Sequence, residues 1–363
     1  MPQLTRAQLV LLELAAAAVL GGFALDGVWR IVGSAVAGVV LLLAVVPVRR
    51  RWLYQLVVSW GGLVRRRRRA SGRPGLAGVL GEYQIESVSG GNRGGSFAVV
   101  RSGTTWSLPL VLGLESVVND DAAVPIHLLT GLLQVEDVPL SSVRLLTLTT
   151  PAQVAAQAPP GPAAPLTQLA ARYCLLTLDT RRAAEAIAAR GGTKAAAHQI
   201  LRRCAVHAEQ VLATADLAVR RLDEQAVASL FATWMGPANP ATGRRGNQTV
   251  ESWRDVRVAG TWSTVFAVTG TGHDVADRVA RLAAAAPTPV VATSLLLQPG
   301  GNRGQVEATM LVRLSAPDSV RHEGAANSLV LLARAFDLVL QRPDGEQGQL
   351  LRATTPVGVG ESR

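Results

Sequence analysis

Two apolar stretches near the N-terminus, Leu9 to Leu25 and Ile31 to Val48, constrain this chain more than any other feature. Each runs for about 17 to 18 residues, near the lower limit for crossing a hydrocarbon core of about 30 Å. Glu13 alone interrupts them with charge. The connection Asp26-Gly27-Val28-Trp29-Arg30 is short and carries an interfacial Trp, so residues 1–50 are expected to form a transmembrane α-helical hairpin with spans at about 9–25 and 31–48. A signal peptide fits poorly, because the second span follows without a clear cleavage site and closes on Arg49, Arg50 and Arg51.

The charge distribution orients the hairpin. The chain carries a net +10 with 48% hydrophobic residues. Up to Gly75 there are eleven arginines against Glu13 and Asp26, a net +9, which leaves the remainder at +1. A nucleic-acid groove needs its charge inside the folded domain, where counterion release drives binding, so no nucleic-acid partner is expected. Arginines are retained on the cytosolic face. The arginine triplet and the later run Arg65, Arg66, Arg67, Arg68 and Arg69 therefore predict a two-pass protein of the cytoplasmic (inner) membrane with most of its chain cytosolic.

Residues 51–78 form a basic juxtamembrane linker. Trp52, Leu53, Leu56, Val57, Trp60 and Leu63 or Val64 recur at helical spacing, which predicts an amphipathic helix at the headgroups. Continuation of the second span into water explains the same pattern. Trp29, Arg49 to Arg51, Trp52, Trp60 and Arg65 to Arg69 are the candidate membrane-interface residues, and the lipid bilayer is the first expected partner.

Residues 79–363 read as a cytosolic α/β domain, a mixed sheet with flanking helices. Strand-like runs stand at Tyr83 to Val88, Phe97 to Arg101, Trp106 to Leu112 and Ser142 to Thr149, with a helix around Pro125 to Leu133. Ala- and Pro-rich residues 151–165 suggest a surface linker that could split the domain in two. Beyond it come a strand at Tyr173 to Leu178, a helix at Lys194 to Ala215, a strand at Leu217 to Leu222 and a helix at Glu224 to Met235. The last third repeats the alternation, with strands near Trp253 to Val258, Thr261 to Thr269, Val290 to Gln298, Val306 to Leu314 and Phe336 to Leu340. Helices are expected at Val275 to Ala285 and Val320 to Arg334. Gly90-Gly91-Asn92-Arg93-Gly94 and Gly300-Gly301-Asn302-Arg303-Gly304 look alike, a weak sign of duplication that hairpin turns explain as well.

Motifs that carry chemistry are missing. Gly270-Thr271-Gly272 stands between a strand and a helix, but Val275 occupies the place of the third glycine of a dinucleotide turn. The only lysine, Lys194, is not in a phosphate loop. His198 and His207 share a helix nine residues apart, too far to chelate, while His127, His273 and His322 are isolated and read as surface or capping residues. Asp120-Asp121 and Glu136-Asp137 are adjacent acids of a kind that loops commonly carry. Cys174 and Cys204, in apolar surroundings, read as buried core thiols. No catalytic, cofactor-binding or metal-binding residue is assigned.

The order of parts, a membrane hairpin, an arginine cluster and an α/β domain, resembles EccE, a membrane component of actinobacterial type VII (ESX) secretion systems. The more specific pieces are Ser96-Phe97-Ala98-Val99-Val100 through Thr105-Trp106, Leu128 to Leu133 followed by Glu136-Asp137-Val138-Pro139-Leu140, and Tyr173 through Ala189-Arg190-Gly191-Gly192 to Val211. Glu251-Ser252-Trp253-Arg254 with Trp262, and Thr354-Thr355-Pro356-Val357-Gly358, complete the set. The resemblance implies a non-catalytic structural subunit that joins EccB-, EccC- and EccD-type components and supports export of small WxG-type proteins. Residues 151–165 depart from it locally. A membrane-anchored enzyme on an α/β sheet, or a scaffold of another membrane system, are the competing readings.

Overall fold

The structure, a computed structural model, describes residues 6–24, 27–48, 51–70, 77–89, 95–113, 124–151, 168–234, 249–270, 274–286, 288, 290–302 and 304–357. It divides into two compact units, Met1–Arg66 with Asp344–Glu346, and Arg67–Pro343 with Gln347–Arg363.

The first unit opens with α1 (Arg6–Ala24) and α2 (Val28–Val45), which turn at Gly27, at φ 71°. The helices pack closely because glycines face each other: a Cβ on Gly33 would stand 2.8 Å from the Cα of Gly22. At the far end the Gln8 side chain donates to the Ala44 carbonyl at 3.1 Å. Val28–Val45 is long and apolar enough to cross a membrane, whereas the apolar run in α1, Gln8–Gly22, is shorter. Two short strands, β1 (Pro47–Val48) and β2 (Arg51–Trp52), pair antiparallel and lead into α3 (Leu53–Ala70). The Trp52 backbone N–H donates to Gln55 Oε1 at 3.2 Å, satisfying one of the open donors at the start of α3.

The second unit adds α4 (Ala77–Leu80) and then a first run of β3 (Gln84–Val88), β4 (Phe97–Ser102), β5 (Thr105–Leu112), α5 (Ile126–Gly131), β6 (Gln134–Val135), β7 (Val138–Pro139), β8 (Ser142–Pro151), β9 (Gln168–Asp179), α6 (Ala184–Ala188), α7 (Lys194–Ala213), β10 (Val219–Arg221) and α8 (Glu224–Trp234). A second run holds β11 (Val250–Glu251), β12 (Val256–Val258), β13 (Thr261–Thr269), α9 (Val275–Ala285), β14 (Val290–Pro299), β15 (Val306–Ala316), α10 (Ser319–Ala335), β16 (Val339–Gln341) and α11 (Gln347–Ala353).

Most strands join one sheet in the order β11-β12-β13-β15-β14-β8-β9-β5-β4-β3, with β10 beside β5 and β16 beside β13. Every ladder among the described residues is antiparallel, which corrects the expected mixed sheet. For the consecutive strands the reason is local: they come as hairpins, such as β4 and β5 about Gly103 at φ 60°, and a hairpin can only pair antiparallel. The segment 152–167 joins two such neighbours, β8 and β9, which pair from Ser142↔Thr177 to Pro151↔Gln168.

The sheet repeats one topology twice. From edge to centre the first run is ordered β3-β4-β5-β9-β8 and the second β11-β12-β13-β15-β14. The two meet where β8 pairs antiparallel with β14, so an approximate two-fold axis passes between those strands. Short identities accompany the repeat: Arg101, Thr105, Trp106 and Ser107 recur as Arg257, Thr261, Trp262 and Ser263, and each Arg pairs across its ladder with its Trp. Asp216, Leu217, Arg221 and Asp223 recur as Asp337, Leu338, Arg342 and Asp344. Asp216 and Asp337 both end a helix at positive φ, 55° and 52°. The two glycine-rich look-alikes do not correspond. Gly300 begins the turn between β14 and β15, whose counterpart is residues 152–167, while residues 90–94 lie outside the described residues.

On one face α5, α6 and α7 cover the first half and α9 and α10 the second; on the other face lie α4 and α8, then α11. α7 shows why the helices form where they do. Thr193 caps it, its side chain accepting from the Ala196 N–H. Ala197, Ile200, Leu201, Cys204, Ala208 and Leu212 fall on one buried stripe, the face expected from their spacing. Each fully buried Leu or Ile there contributes about 1.5–3 kcal/mol.

Candidate functional site

The expected interface residues occupy the start of α2, β2 and α3. Trp29 is exposed on the first turn of α2. Arg49 and Arg50 lie outside the described residues, Arg51 is in β2, and Trp52 beside it is half-buried. Trp60, Arg65, Arg67 and Arg68 are exposed on α3, with Arg66 half-buried and Arg69 in its last turn. The structure therefore gathers Trp60 and the later arginines on one helix. It also gives Arg67 a defined role, since its Nε donates to the Glu251 carbonyl at 2.6 Å.

In the second unit a group of ionisable side chains surrounds Glu86 on β3. Its carboxylate meets Lys194 Nζ at 2.8 Å, Arg101 Nε at 3.2 Å and His198 Nε2 at 3.5 Å. Lys194 and His198 reach it together because residues four apart share a helix face. Partial burial would raise the Glu86 pKa, but Lys194, Arg101 and His198 outweigh it and hold the carboxyl below its usual range. Arg101 lies over the Trp106 ring, 5.9 Å from its centroid, and His198 meets the ring at 5.2 Å.

The second half repeats the aromatic part. Arg257 lies 5.6 Å from the Trp262 centroid and His322 6.4 Å from it. His322, expected at the surface or at a cap, is 5% exposed, because it faces inward from the first turn of α10 onto Trp262. Burial lowers its pKa, against the opposing pull of Asp255 and Glu323. A pair of Arg-x-x-x-Thr-Trp-Ser segments was the sequence signal for this arrangement. Its duplication marks it as part of the fold, a cross-strand cation–π contact worth about 0.5–1 kcal/mol.

Two arginines are wholly inside the sheet's other layer. Arg144 is the third residue of β8, opposite Leu175 of β9; in the other half Ala292 is third in β14, opposite Arg313 of β15. The arginine has changed strands between equivalent pairs, yet its task is the same. Arg144 Nη1 donates to the carbonyls of Thr355, at 3.0 Å, and Val357, at 3.1 Å, just beyond α11. Arg313 donates to the carbonyl of Trp234, the last residue of α8, and lies 5.8 Å from the centre of that ring. Each half thus supplies a cation to the carbonyl-rich end of the other half's helix, where open acceptors and the helix dipole favour positive charge. Burial pushes both guanidinium groups down to about 9. Sequence reasoning missed them, since neither sits in a motif.

The acids and thiols have structural explanations. Glu136 and Asp137 form the turn between β6 and β7, where Arg203 and Arg190 pair with them at 3.1 and 2.6 Å. Cys174 and Cys204 are fully buried, as expected, and burial pushes each thiol up to about 12. Asp120, Asp121, Thr271, Gly272 and His273 lie outside the described residues. Among the described residues no group of three or more His, Cys, Asp or Glu could hold a metal ion. An open groove of about 380 Å³ runs beside α10, lined by Phe266, Val330, Leu331, Leu340, Asn327, Ala326 and Arg342, with no acid in its wall.

Residues 169–268, from β9 through α7 and α8 into β13, match the family model described as "Putative type VII ESX secretion system translocon, EccE". The EccE resemblance holds over this segment. No curated protein matches the chain. The EccE match bridges the two halves of the sheet, taking in α7 and α8 from the first and Arg257, Trp262 and Ser263 from the second. Over this segment the chain is similar to a type VII secretion translocon component.

Proposed function

We propose that the chain is a non-catalytic assembly subunit of a type VII secretion membrane complex. It is held in the cytoplasmic membrane by a two-helix hairpin within residues 1–50, followed by a basic linker at 51–78 and a cytosolic domain at 79–363. It contacts EccB-, EccC- and EccD-type components and supports export of small WxG-type proteins, the energy coming from the ATPase partner. The observation that carries this reading is the EccE match over residues 169–268. The close glycine packing of α1 on α2 and the apolar length of Val28–Val45 support the anchor.

Secretion by cells carrying chain variants tests it. Deleting Leu9 to Val48 should abolish membrane association and export of the small substrates. Replacing Asp121, Glu136, His273 or Asp274 singly by Ala should leave export near the parental level. A single substitution that stops export while the complex assembles at normal abundance would require treating the protein as an enzyme.

A further inference from the structure

α3 wears its amphipathicity inside out. At 100° per residue, Trp60, Val64, Val57, Gly61 and Val58 fall within an arc of about 160°. Along that arc Val57 is 49% exposed, Val58 69% and Trp60 61%. The opposite side carries Gln55, Ser59 and Arg66, with Leu63 buried among them at 3% exposure. Its polar groups are engaged, since Ser59 Oγ donates to Glu346 at 3.0 Å and Arg66 donates to the Gly345 carbonyl. A helix facing water has the reverse arrangement, because leaving apolar area hydrated costs about 25 cal/mol per Å².

Helical spacing places Leu56, Val57 and either Leu63 or Val64 on the apolar face with Trp60. The structure buries Leu63, leaves Leu56 and Val64 half-buried and puts Val58 outward. The last two turns of the outward arc carry Arg65 and Arg68, both exposed and without an ion-pair partner among the described residues. No acidic residue occurs anywhere in α3. Only residues 46–52 separate this helix from α2, the helix long enough to cross a membrane. Apolar side chains with a rim of unneutralised guanidinium groups, tethered at the end of a span, match the boundary between acyl chains and anionic headgroups.

We infer that α3 docks on the membrane surface through Val57, Val58 and Trp60, and that Arg65 and Arg68 make the contact selective for anionic lipid. The inference rests on the anchored-subunit reading and adds the lipid class and the helix face that binds it. Val57 and Val58 thereafter act as a wedge in the acyl boundary while Trp60 sits at headgroup level.

The test uses the full chain reconstituted in vesicles of phosphatidylcholine alone or with added phosphatidylglycerol. Val58→Cys takes an environment-sensitive fluorophore, and Val57→Cys repeats the measurement in case one site disturbs the helix. The two native thiols are buried and raised to about 12, so labelling falls on the introduced one. Gln199→Cys on the exposed side of α7 is the aqueous control. Doxyl-labelled lipid should remove about half of the emission at position 58 or 57, as for a group 5–10 Å into the interface, and leave the control unchanged. Phosphatidylglycerol should deepen that loss, and Arg65→Gln with Arg68→Gln should cancel the deepening. Emission at 58 and 57 quenched no more than the control overturns the inference, as does a blue shift without lipid quenching, which would mean that protein covers the face. Equal quenching in both lipids overturns the anionic selectivity. Flotation separates this from the anchor: a chain that floats with vesicles but is not quenched loses only the α3 contact, and a chain that does not float loses the anchored reading itself.

Discussion

Replacing Arg144 by Met should change stability little, although the residue is fully buried and bonded to two carbonyls. Burial, with a smaller contribution from the like charge of Arg352, pushes its guanidinium well below its ordinary value, to about 9. That corresponds to about 5 kcal/mol spent on keeping the charge inside. The two bonds to Thr355 and Val357, at about 1.5–3 kcal/mol each for a charged donor, offset a similar amount. Nε and Nη2 add nothing, having no partner. Met fills most of the same volume, removes the desolvation cost and loses the bonds, so the terms cancel to within about 2 kcal/mol. Arg144→Ala also loses the bonds but leaves a cavity, which costs a further 2–5 kcal/mol or so. For a domain of this size the Ala variant should therefore melt roughly 10 °C below the Met variant. Thermal unfolding of the detergent-solubilised chain, followed by Trp fluorescence, reads the difference. Because Arg313 serves the end of α8 as Arg144 serves the end of α11, Arg313→Met and Arg313→Ala should show the same split. If Met proves as damaging as Ala at either position, the bonds outweigh the desolvation cost and the reasoning fails. The pH sign is also fixed. The folded value lies below the unfolded one, so the cost is constant at neutral pH and stability rises only above about pH 9, where the folded protein can release the proton first.

Glu86 has the same pH sign in a different window, and at neutral pH it contributes stability where Arg144 carries a cost. Its folded pKa is lowered, so its ion pairs stabilise above the unfolded value near 4.5 and the contribution disappears as pH falls through the folded value. Glu86→Gln should therefore lower the urea midpoint at pH 7, with the gap to the parent closing below about pH 4.5; a gap independent of pH would exclude the ion pairs as its cause. In the α1–α2 pair, Gly33→Val places side-chain atoms where a Cβ alone would meet the Gly22 backbone at 2.8 Å. A disulfide between cysteines substituted for Gln8 and Ala44 should form readily in the parent and poorly in the Gly33→Val variant, and equal yields would mean that the helices do not need the glycine contact.

Periodicity located most elements of the second unit to within a few residues. The buried stripe of α7 and the runs that became β13, α9, β14 and β15 follow from apolar spacing, which is a local property of the chain. The EccE resemblance was also legible, carried by ordered short segments such as Tyr173 to Val211. The repeat was present in the sequence as Arg-x-x-x-Thr-Trp-Ser and Asp-Leu-x-x-x-Arg-x-Asp, but the longer glycine-rich look-alike drew attention to positions that are not equivalent. Those glycines answer a local demand instead: a Cβ on Gly300 would stand 2.9 Å from Gln305 across its turn.

What the sequence by itself determined, then, was the set of elements, the concentration of charge before Gly75 and the apolar length of α2, because each depends on neighbours in the chain. Only the tertiary structure decided the antiparallel strand order, the two-fold relation about β8 and β14, the inward turn of His322 and the exchange of Arg144 and Arg313 between halves. Those features join residues tens to hundreds of positions apart, such as Arg144 with Thr355, and no local pattern marks a buried arginine whose partner is a backbone carbonyl. The face of α3 was decided in the same way, since helical spacing favours Leu56 beside Trp60 and only the packed chain leaves Val58 outside.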